Sequence, residues 1–297
     1  MQYAITHPTT YRYETTVSVS YHLLHLQPRE TARQRVLDFQ LEVQPADACS
    51  IPRADYHGNS TAYLSVQSPH RELSVVARSR VEVDRPEWPE PSATPPWETV
   101  REACAAATLT EDSAAGEFLF DSPHISTGAP YAAYAGESFT PGRPLLEGVV
   151  ELTTRIFRDF KFDRRATTVA TPVEEVFRRR RGVCQDFAHV GITCLRSLGL
   201  PARYVSGYIE TLPPPGQRRL VGADASHAWF AVWLPDFGWV DADPTNNVLC
   251  DDRHVTVAWG RDFSDVSPMH GIVLGGGSHR LSVGVDVARV EPATAED

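Results

Sequence analysis

His227 and Asp243 are an imidazole and a carboxylate that the predicted topology places side by side. His227 begins an apolar strand at residues 227–234, and Asp243 ends another at residues 239–243. The tetrapeptide between them, Pro235-Asp236-Phe237-Gly238, is typical of a turn, so the strands should pair as an antiparallel hairpin. A carboxylate in that position can orient an imidazole and stabilise its protonated form, which is an arrangement that supports nucleophilic catalysis.

Cys184 opens a predicted helix whose apolar side chains recur at helical spacing as far as Leu198. Gly199 is a typical residue for the end of a helix, and Pro201 prevents continuation. A thiol at a helix N-terminus lies beside unpaired backbone N–H groups and the positive end of the helix dipole. Both favour the nucleophilic thiolate, and the same N–H groups could stabilise an oxyanion. The spacing alone does not bring this thiol to the imidazole.

Several further elements must position these residues. Residues 145–160 carry apolar side chains at three- and four-residue steps, which predicts an amphipathic helix. Thr171-Pro172-Val173-Glu174 reads as a capping box that starts a short helix ending at Gly182. Its final arginines, residues 178–181, are typical of a solvated helix end that complements the dipole. A strand at residues 202–210 and an exposed loop at residues 212–222 complete this part.

The first 85 residues are predicted to be β-rich. Leu37, Phe39, Leu41 and Val43 alternate with polar residues, and a second alternating run spans residues 73–83. A turn at residues 55–59 separates these runs, so a small antiparallel sheet or sandwich fits. The prolines of residues 85–97 exclude a regular helix or a central strand there. A helix should follow at about residues 97–109, and a last alternating strand is predicted at residues 281–287.

The segments around the three chemical residues resemble those of the transglutaminase-like superfamily. The resemblance is carried, in order along the chain, by Arg181-Gly182-Val183-Cys184-Gln185-Asp186-Phe187-Ala188-His189, Leu200-Pro201-Ala202-Arg203-Tyr204-Val205-Ser206-Gly207-Tyr208, Ser226-His227-Ala228-Trp229, and Gly238-Trp239 with Asp243-Pro244-Thr245-Asn246. The β-rich start and the segment at residues 260–265 look like the bacterial cysteine-protease branch of that family.

The resemblance implies an α+β fold with a papain-like core, in which a helix carrying the cysteine packs on an antiparallel sheet. It also implies that Cys184, His227 and Asp243 form one catalytic triad. The corresponding division is a β-rich N-terminal domain at residues 1–85, a proline-rich linker at 86–96 and the core at 97–250. Residues 251–297 are expected to form a C-terminal β extension that packs on the other domains.

The resemblance implies acylation of the thiolate, but it leaves the acceptor of the acyl group open. We expect hydrolysis of a peptide or isopeptide amide in a peptide or protein substrate. The alternatives are acyl transfer from glutamine to an amine, and a non-catalytic module that binds peptides. An arylamine acetyltransferase shares such a core, but its nucleophile motif does not look like residues 184–189. The chemistry requires no cofactor or metal, and the N-terminal domain could shape specificity, stabilise the core or mediate homodimerisation.

Residues next to the triad are candidates for substrate contacts. Gln185, Asp186, Ser226 and Trp229 are the ones we single out. Each has an ordinary structural interpretation beside the functional one. Asp186 lies in the first helical turn, where an acid commonly serves only the dipole, and Gln185 could simply be solvated. Trp229 could belong to the core or to the wall of a cleft.

The composition limits the class of protein. Hydrophobic residues make up 42% and charged residues 22% of the chain, and the formal net charge is -10, so a general nucleic-acid or anionic-membrane surface is not expected. The sequence contains neither a signal-peptide pattern at its start nor an apolar run of about 18 residues. Five scattered cysteines without C-x-x-C pairs indicate reduced thiols, so we expect a cytoplasmic protein.

Overall fold

The described part of the chain contains two large antiparallel sheets and one short parallel strand pair. Helices pack on the second large sheet. The computed structural model describes residues 1–107, 115–210 and 226–290. The expected α+β fold is confirmed. The predicted loop at residues 212–222 and the end of the helix predicted at 97–109 lie outside the described residues. Each helix of the described part is too short or too polar to cross a bilayer.

The first sheet is built around one long strand, β1 (Gln2–Leu24), of 23 residues. The other N-terminal strands are β2 (Gln34–Gln44), β3 (Cys49–Ala54), β4 (Ser60–Val66) and β5 (His70–Val83). β5 and β4 pair with successive lengths of β1, β2 pairs with β5, and β3 pairs with β4. The alternation predicted at residues 73–83 is confirmed, because Leu73, Val75 and Val81 are fully buried. The turn at residues 55–59 is also confirmed, with Gly58 at a φ of 71°.

The predicted alternation in β2 fails at one position. Phe39, Leu41 and Val43 pack against the core of the first sheet, whereas Leu37 is 39% exposed. A bulge between Val36 and Asp38 changes the face that Leu37 presents. The alternating sequence pattern could not show this, because the bulge depends on the pairing of β2 with β5.

The second sheet carries the residues of chemical interest. Its main strands are β8 (Ala202–Ile209), β9 (Ser226–Leu234), β10 (Gly238–Asp243), β11 (Val248–Leu249) and β12 (His254–Gly260), in the order β11-β10-β9-β8-β12. The strands predicted at residues 202–210, 227–234 and 239–243 and the turn between the last two are therefore confirmed. A separate short parallel pair joins β6 (Lys161–Phe162) to β7 (Arg181–Gly182).

Helices cover one face of the second sheet. They are α1 (Trp97–Ala107), α2 (Ala129–Gly136), α3 (Leu145–Asp159), α4 (Val173–Arg179), α5 (Cys184–Ser197) and the short α6 (Phe263–Val266). The amphipathic α3 and the helix that begins at Cys184 are confirmed. α5 lies against β9 so closely that a Cβ on Gly191 would come within 2.6 Å of the Phe230 ring. Only glycine permits that approach without displacing the ring.

The start of α4 differs from the predicted capping box. Pro172 is the N-cap residue, and it offers no side-chain hydrogen bond. The Thr171 hydroxyl instead accepts a hydrogen bond from the backbone N–H of Thr168, 2.9 Å away. The preceding turn therefore uses the oxygen that a capping box would need, and the helix begins one residue later than predicted.

The C-terminal strands return to the first sheet. The predicted strand at residues 281–287 is two strands, β14 (His279–Val283) and β15 (Asp286–Val290), separated at Gly284. Together with β13 (Met269–Gly275) they pair with β1. β12, which follows the predicted boundary at residue 250, pairs with β8 in the second sheet. The domain division at residues 85, 96 and 250 stays a prediction.

Specific hydrogen bonds join the two sheets. The Gln34 side chain donates to the carbonyl of Thr256 (2.7 Å) and accepts from its N–H (2.8 Å). His7 Nδ1 lies 2.9 Å from the Tyr208 hydroxyl. In the proline-rich segment, the Trp88 indole donates to the carbonyl of Cys250 at 2.6 Å. These hydrogen bonds fix the second sheet against the first.

Candidate active site

The hairpin of β9 and β10 brings His227 and Asp243 into direct contact. His227 Nε2 lies 2.7 Å from Asp243 Oδ2, and the two residues are 8% and 0% exposed. Burial alone would lower the pKa of His227, but the hydrogen bonds and charges of Asp243 and Cys184 outweigh it and raise the pKa to about 9. The imidazole is therefore protonated at neutral pH.

Cys184 meets the same imidazole from the start of α5. Val183 is the N-cap of this helix, so the thiol projects from its first turn. Cys184 is half-buried and lines the same cleft as His227, where it contributes to the raised pKa of that ring. Nε2 of His227 faces Asp243, so we expect Nδ1 to be the ring nitrogen that serves the sulfur. The structure thus brings together all three residues of the expected triad in one row.

Asp243 is held by more groups than His227 alone. Its Oδ1 accepts from the backbone N–H groups of Thr245 (2.9 Å) and Asn246 (3.2 Å), and its Oδ2 also accepts from Asn246 Nδ2 (2.6 Å). Burial alone would raise the pKa of Asp243, but hydrogen bonds from His227 and His254 hold it well below its usual range. The carboxylate is therefore a fixed negative charge behind the imidazole.

His254 is a member of this network that the sequence analysis missed. It lies at the start of β12, is 5% exposed, and places Nε2 3.2 Å from Asp243 Oδ2. Its Nδ1 lies 3.1 Å from Asp251 Oδ1. Burial alone would lower the pKa of His254, but these two carboxylates outweigh it and raise that pKa. The sequence carries no local signal for this contact, because it depends on which strand β12 joins.

The Trp229 indole packs beside the two imidazoles of this network, His227 and His254. It is fully buried, and its ring centroid lies 6.0 Å from that of His227 and 5.3 Å from that of His254. The space for the indole depends on Gly207, whose Cβ would come within 2.4 Å of the Trp229 ring. A side chain without accessible surface cannot contact a substrate, so the expected substrate contact of Trp229 is corrected to a packing role.

Of the other three residues predicted to contact a substrate, two line the cleft and one is buried. Gln185 and Ser226 are half-buried and line the cleft above Cys184. Asp186 is 2% exposed, and its Oδ2 accepts from the Val183 N–H (2.8 Å) and the Thr167 hydroxyl (2.6 Å). Burial raises the pKa of Asp186 in spite of these hydrogen bonds. Asp186 therefore fixes the start of α5 and does not face a substrate.

The cleft is a cavity of about 480 Å³ at the row of Cys184 and His227. Its walls are mostly apolar or uncharged: Phe162, Val183, Tyr204, Ser206, Ile209, Ala228, Thr245, Asn246, Phe263 and Pro268 contribute to them. Burial, reinforced by the nearby Cys184 and Asp186, raises the pKa of Tyr204 well above its usual value, so its hydroxyl stays protonated. Neither Tyr204 nor Asn246 was predicted from the sequence to be part of the site.

One group among the described residues has the spacing of metal ligands. His227, Asp243 and His254 each offer an atom, and these atoms lie within 4.8 Å of one another. Hydrogen bonds between the same atoms already account for this proximity. The arrangement therefore has an explanation that needs no ion.

The chain matches two family models. Residues 3–82 match the bacterial transglutaminase-like N-terminal region, and residues 132–244 match the transglutaminase-like superfamily. An uncharacterised protein of Mycobacterium tuberculosis is 41% identical over 98% of this chain and 93% of its own length. A protein-glutamine gamma-glutamyltransferase of Pseudomonas aeruginosa is 40% identical, but only over 25% of this chain and 11% of its own length.

A solved structure shares the fold. The crystal structure of a candidate cysteine protease from Cytophaga hutchinsonii has a TM-score of 0.74 and 22% sequence identity, and the match covers 99% of this chain and 92% of that one. The fold of this chain therefore has a counterpart of the same architecture. Taken with the family matches, this chain belongs to the transglutaminase-like superfamily and carries the N-terminal region of its bacterial members.

Proposed function

We propose that this protein is a cysteine-dependent enzyme that hydrolyses a peptide or isopeptide amide through a thioester on Cys184. The observation that carries the proposal is the row of Cys184, His227 and Asp243 at the floor of a cleft. A protonated imidazole between a thiol and a buried carboxylate favours a thiolate–imidazolium pair. Membership of the superfamily supports a cysteine-dependent enzyme of this kind.

Acylation follows from this geometry. The Cys184 thiolate attacks the amide carbonyl, and the C–S bond forms as the carbonyl electron pair moves onto oxygen. Backbone N–H groups at the start of α5 are positioned to stabilise that oxyanion. When the tetrahedral intermediate collapses, His227 gives its proton to the leaving nitrogen, the C–N bond breaks, and an amine departs from the thioester.

Deacylation uses the same imidazole in the opposite direction. Neutral His227 takes a proton from water while the oxygen of that water attacks the thioester carbonyl. The second tetrahedral intermediate expels the Cys184 thiolate and releases a carboxylic acid, and the imidazolium is restored. Asp243 keeps the ring oriented and stabilises its charged form in both half-reactions. If an amine replaces water, the same steps give a new amide.

The proposal is tested by trapping the acyl-enzyme. Cys49 is an exposed thiol, so the experiment uses Cys49→Ala as the background. With p-nitrophenyl acetate we expect an acetyl adduct on Cys184 by peptide mass spectrometry, and none at that position in Cys184→Ala. His227→Ala should acylate at least about 100-fold more slowly, because it lacks the base that maintains the thiolate. Equal acylation rates with and without His227 would contradict the proposal.

The fate of the acyl group separates hydrolysis from transfer. In ¹⁸O-water, hydrolysis places the label in the released acetate, whereas added methylamine diverts the acyl group to an amide if the enzyme is a transferase. We expect labelled acetate to dominate with methylamine present at millimolar concentration. Predominant amide formation would make the protein an acyltransferase.

We further propose a cytoplasmic location, which the reduced thiols of Cys184, Cys194 and Cys250 support.

A further inference from the structure

Two basic segments meet beside the nucleophile. Residues 161–165 and 178–181 are joined by the parallel pairing of β6 and β7, in which Lys161 lies opposite Arg181. The second segment leads directly into the helix that begins at Cys184. The exposed cations of these segments, here called the basic rim, are Lys161, Arg164, Arg165, Arg178, Arg179 and Arg181.

The basic rim is largely without ionic partners. Arg179 pairs with Glu175 at 2.7 Å. Within the described part of the chain, the side chains of the other five rim residues form neither a salt bridge nor a hydrogen bond. Arg180, by contrast, stacks over the rings of Phe177 and Tyr134 at 4.1 and 4.7 Å, so it serves the fold. The rim cations are thus available for a ligand.

Arg164 brings this charge into the cleft. It is exposed and lines the cleft together with Cys184 and His227. Among the described residues that line the cleft, Arg164 alone carries a permanent charge, and no carboxylate is present. Arg165, Arg179 and Arg181 line a second concavity of about 390 Å³, together with one carboxylate, Asp163. The positive charge therefore continues from the cleft onto the adjoining surface.

We infer that the substrate is an acidic peptide, with one carboxylate bound by Arg164 near the scissile amide and others along the basic rim. The inference rests on the proposed function of the Cys184 site. The chain as a whole carries a formal net charge of -10, so its overall charge does not attract an acidic ligand. A local positive zone at the mouth of the cleft concentrates such a ligand there and orients it. An apolar or basic substrate would gain nothing from these groups.

The test measures binding, so that it does not depend on turnover. The Cys184→Ala variant is titrated with two fluorescein-labelled hexapeptides, Ala-Glu-Gln-Ala-Glu-Ala and its isostere with glutamine in place of both glutamates. Fluorescence anisotropy at low ionic strength should show about 5- to 10-fold tighter binding of the acidic peptide. Because the Debye length falls to about 3 Å at 1 M salt, the preference should largely disappear there.

Charge reversal at matched positions locates the effect. Arg164→Glu, added to Cys184→Ala, should remove or invert the preference for the acidic peptide. Arg280→Glu makes the same charge change on exposed β14 of the first sheet and should retain the preference. Equal binding of both peptides, absence of binding included, or equal effects of the two reversals would overturn the inference. Selective binding without an acyl-enzyme would instead overturn the proposed catalysis alone.

Discussion

His254 and His227 share one oxygen atom of Asp243. Their Nε2 atoms lie 3.2 and 2.7 Å from Asp243 Oδ2, so this carboxylate stands between two imidazoles. On its far side His254 is held by Asp251, 3.1 Å from Nδ1. A continuous row of hydrogen-bonded groups thus runs from His227 on β9 through Asp243 on β10 to His254 on β12, and Cys184 of α5 lines the cleft beside its first imidazole. We expect His254 to be a positioning residue for Asp243.

Replacing His254 tests that role. In His254→Gln, Asp243 loses an imidazole hydrogen bond and becomes freer to move, so kcat should fall about 10-fold while KM changes little. Removal of a neighbouring cation should also raise the pKa of His227, which shifts the alkaline limb of the rate profile to higher pH. The pH dependence of kcat checks both effects. His270→Gln, on β13 of the first sheet, is the control, and a wild-type profile in His254→Gln would refute the role.

Asp243→Asn should lower kcat by roughly 100- to 10,000-fold, because an amide neither stabilises the imidazolium nor selects the same ring tautomer. The pKa of His227 should fall in this variant, since the opposing charge is lost. Steady-state kinetics and NMR titration of the imidazole measure the two effects. Asp241→Asn is the matched control: Asp241 bonds Arg33 at 3.2 Å, so it should lower stability and leave the His227 titration in place. Equal kinetic losses in both variants would contradict the assignment.

The stability of the protein should depend on the charge of His227. Its pKa is raised from 6.5 to about 9 on folding, so the imidazolium stabilises the folded state fully below about pH 6.5. That contribution is lost as the pH rises through about 9, and it is on the order of 3 kcal/mol. Urea unfolding of wild type and His227→Gln should therefore give free energies that converge between pH 7 and 10. A constant difference over that range would be inconsistent with this linkage.

Gly207→Ala should be strongly destabilising. Its Cβ would lie 2.2 Å from the carbonyl oxygen of Val255 and 2.4 Å from the Trp229 ring, so β12 or the indole must shift. We expect a loss of about 2–4 kcal/mol in the free energy of unfolding, with lower activity because Trp229 packs against both imidazoles. Gly136→Ala is the control, since nothing lies within 4 Å of its Cβ. Similar unfolding midpoints for the two variants would count against the packing role.

The parts of the site that depend on local pattern were predictable from the sequence. The helix that begins at Cys184 and the hairpin that joins His227 to Asp243 follow from apolar spacing and turn residues, and both are confirmed. His254 was not predictable, because its place depends on the pairing of β12 with β8, which no local pattern encodes. Leu37 was misassigned for a related reason, since the bulge in β2 exists only in relation to β5.

Strand β1 has consequences for how the chain folds during its synthesis. It pairs with β4 and β5 along one edge and with β13, β14 and β15 along the other. While the ribosome is still adding the intervening residues, that second edge has no partner from its own chain, and such an edge invites contacts with other chains. The helix with Cys184 and its sheet can form earlier, because their strands are all made before β13. The helix with Cys184 and its sheet can therefore fold while the second edge of β1 is still unpaired.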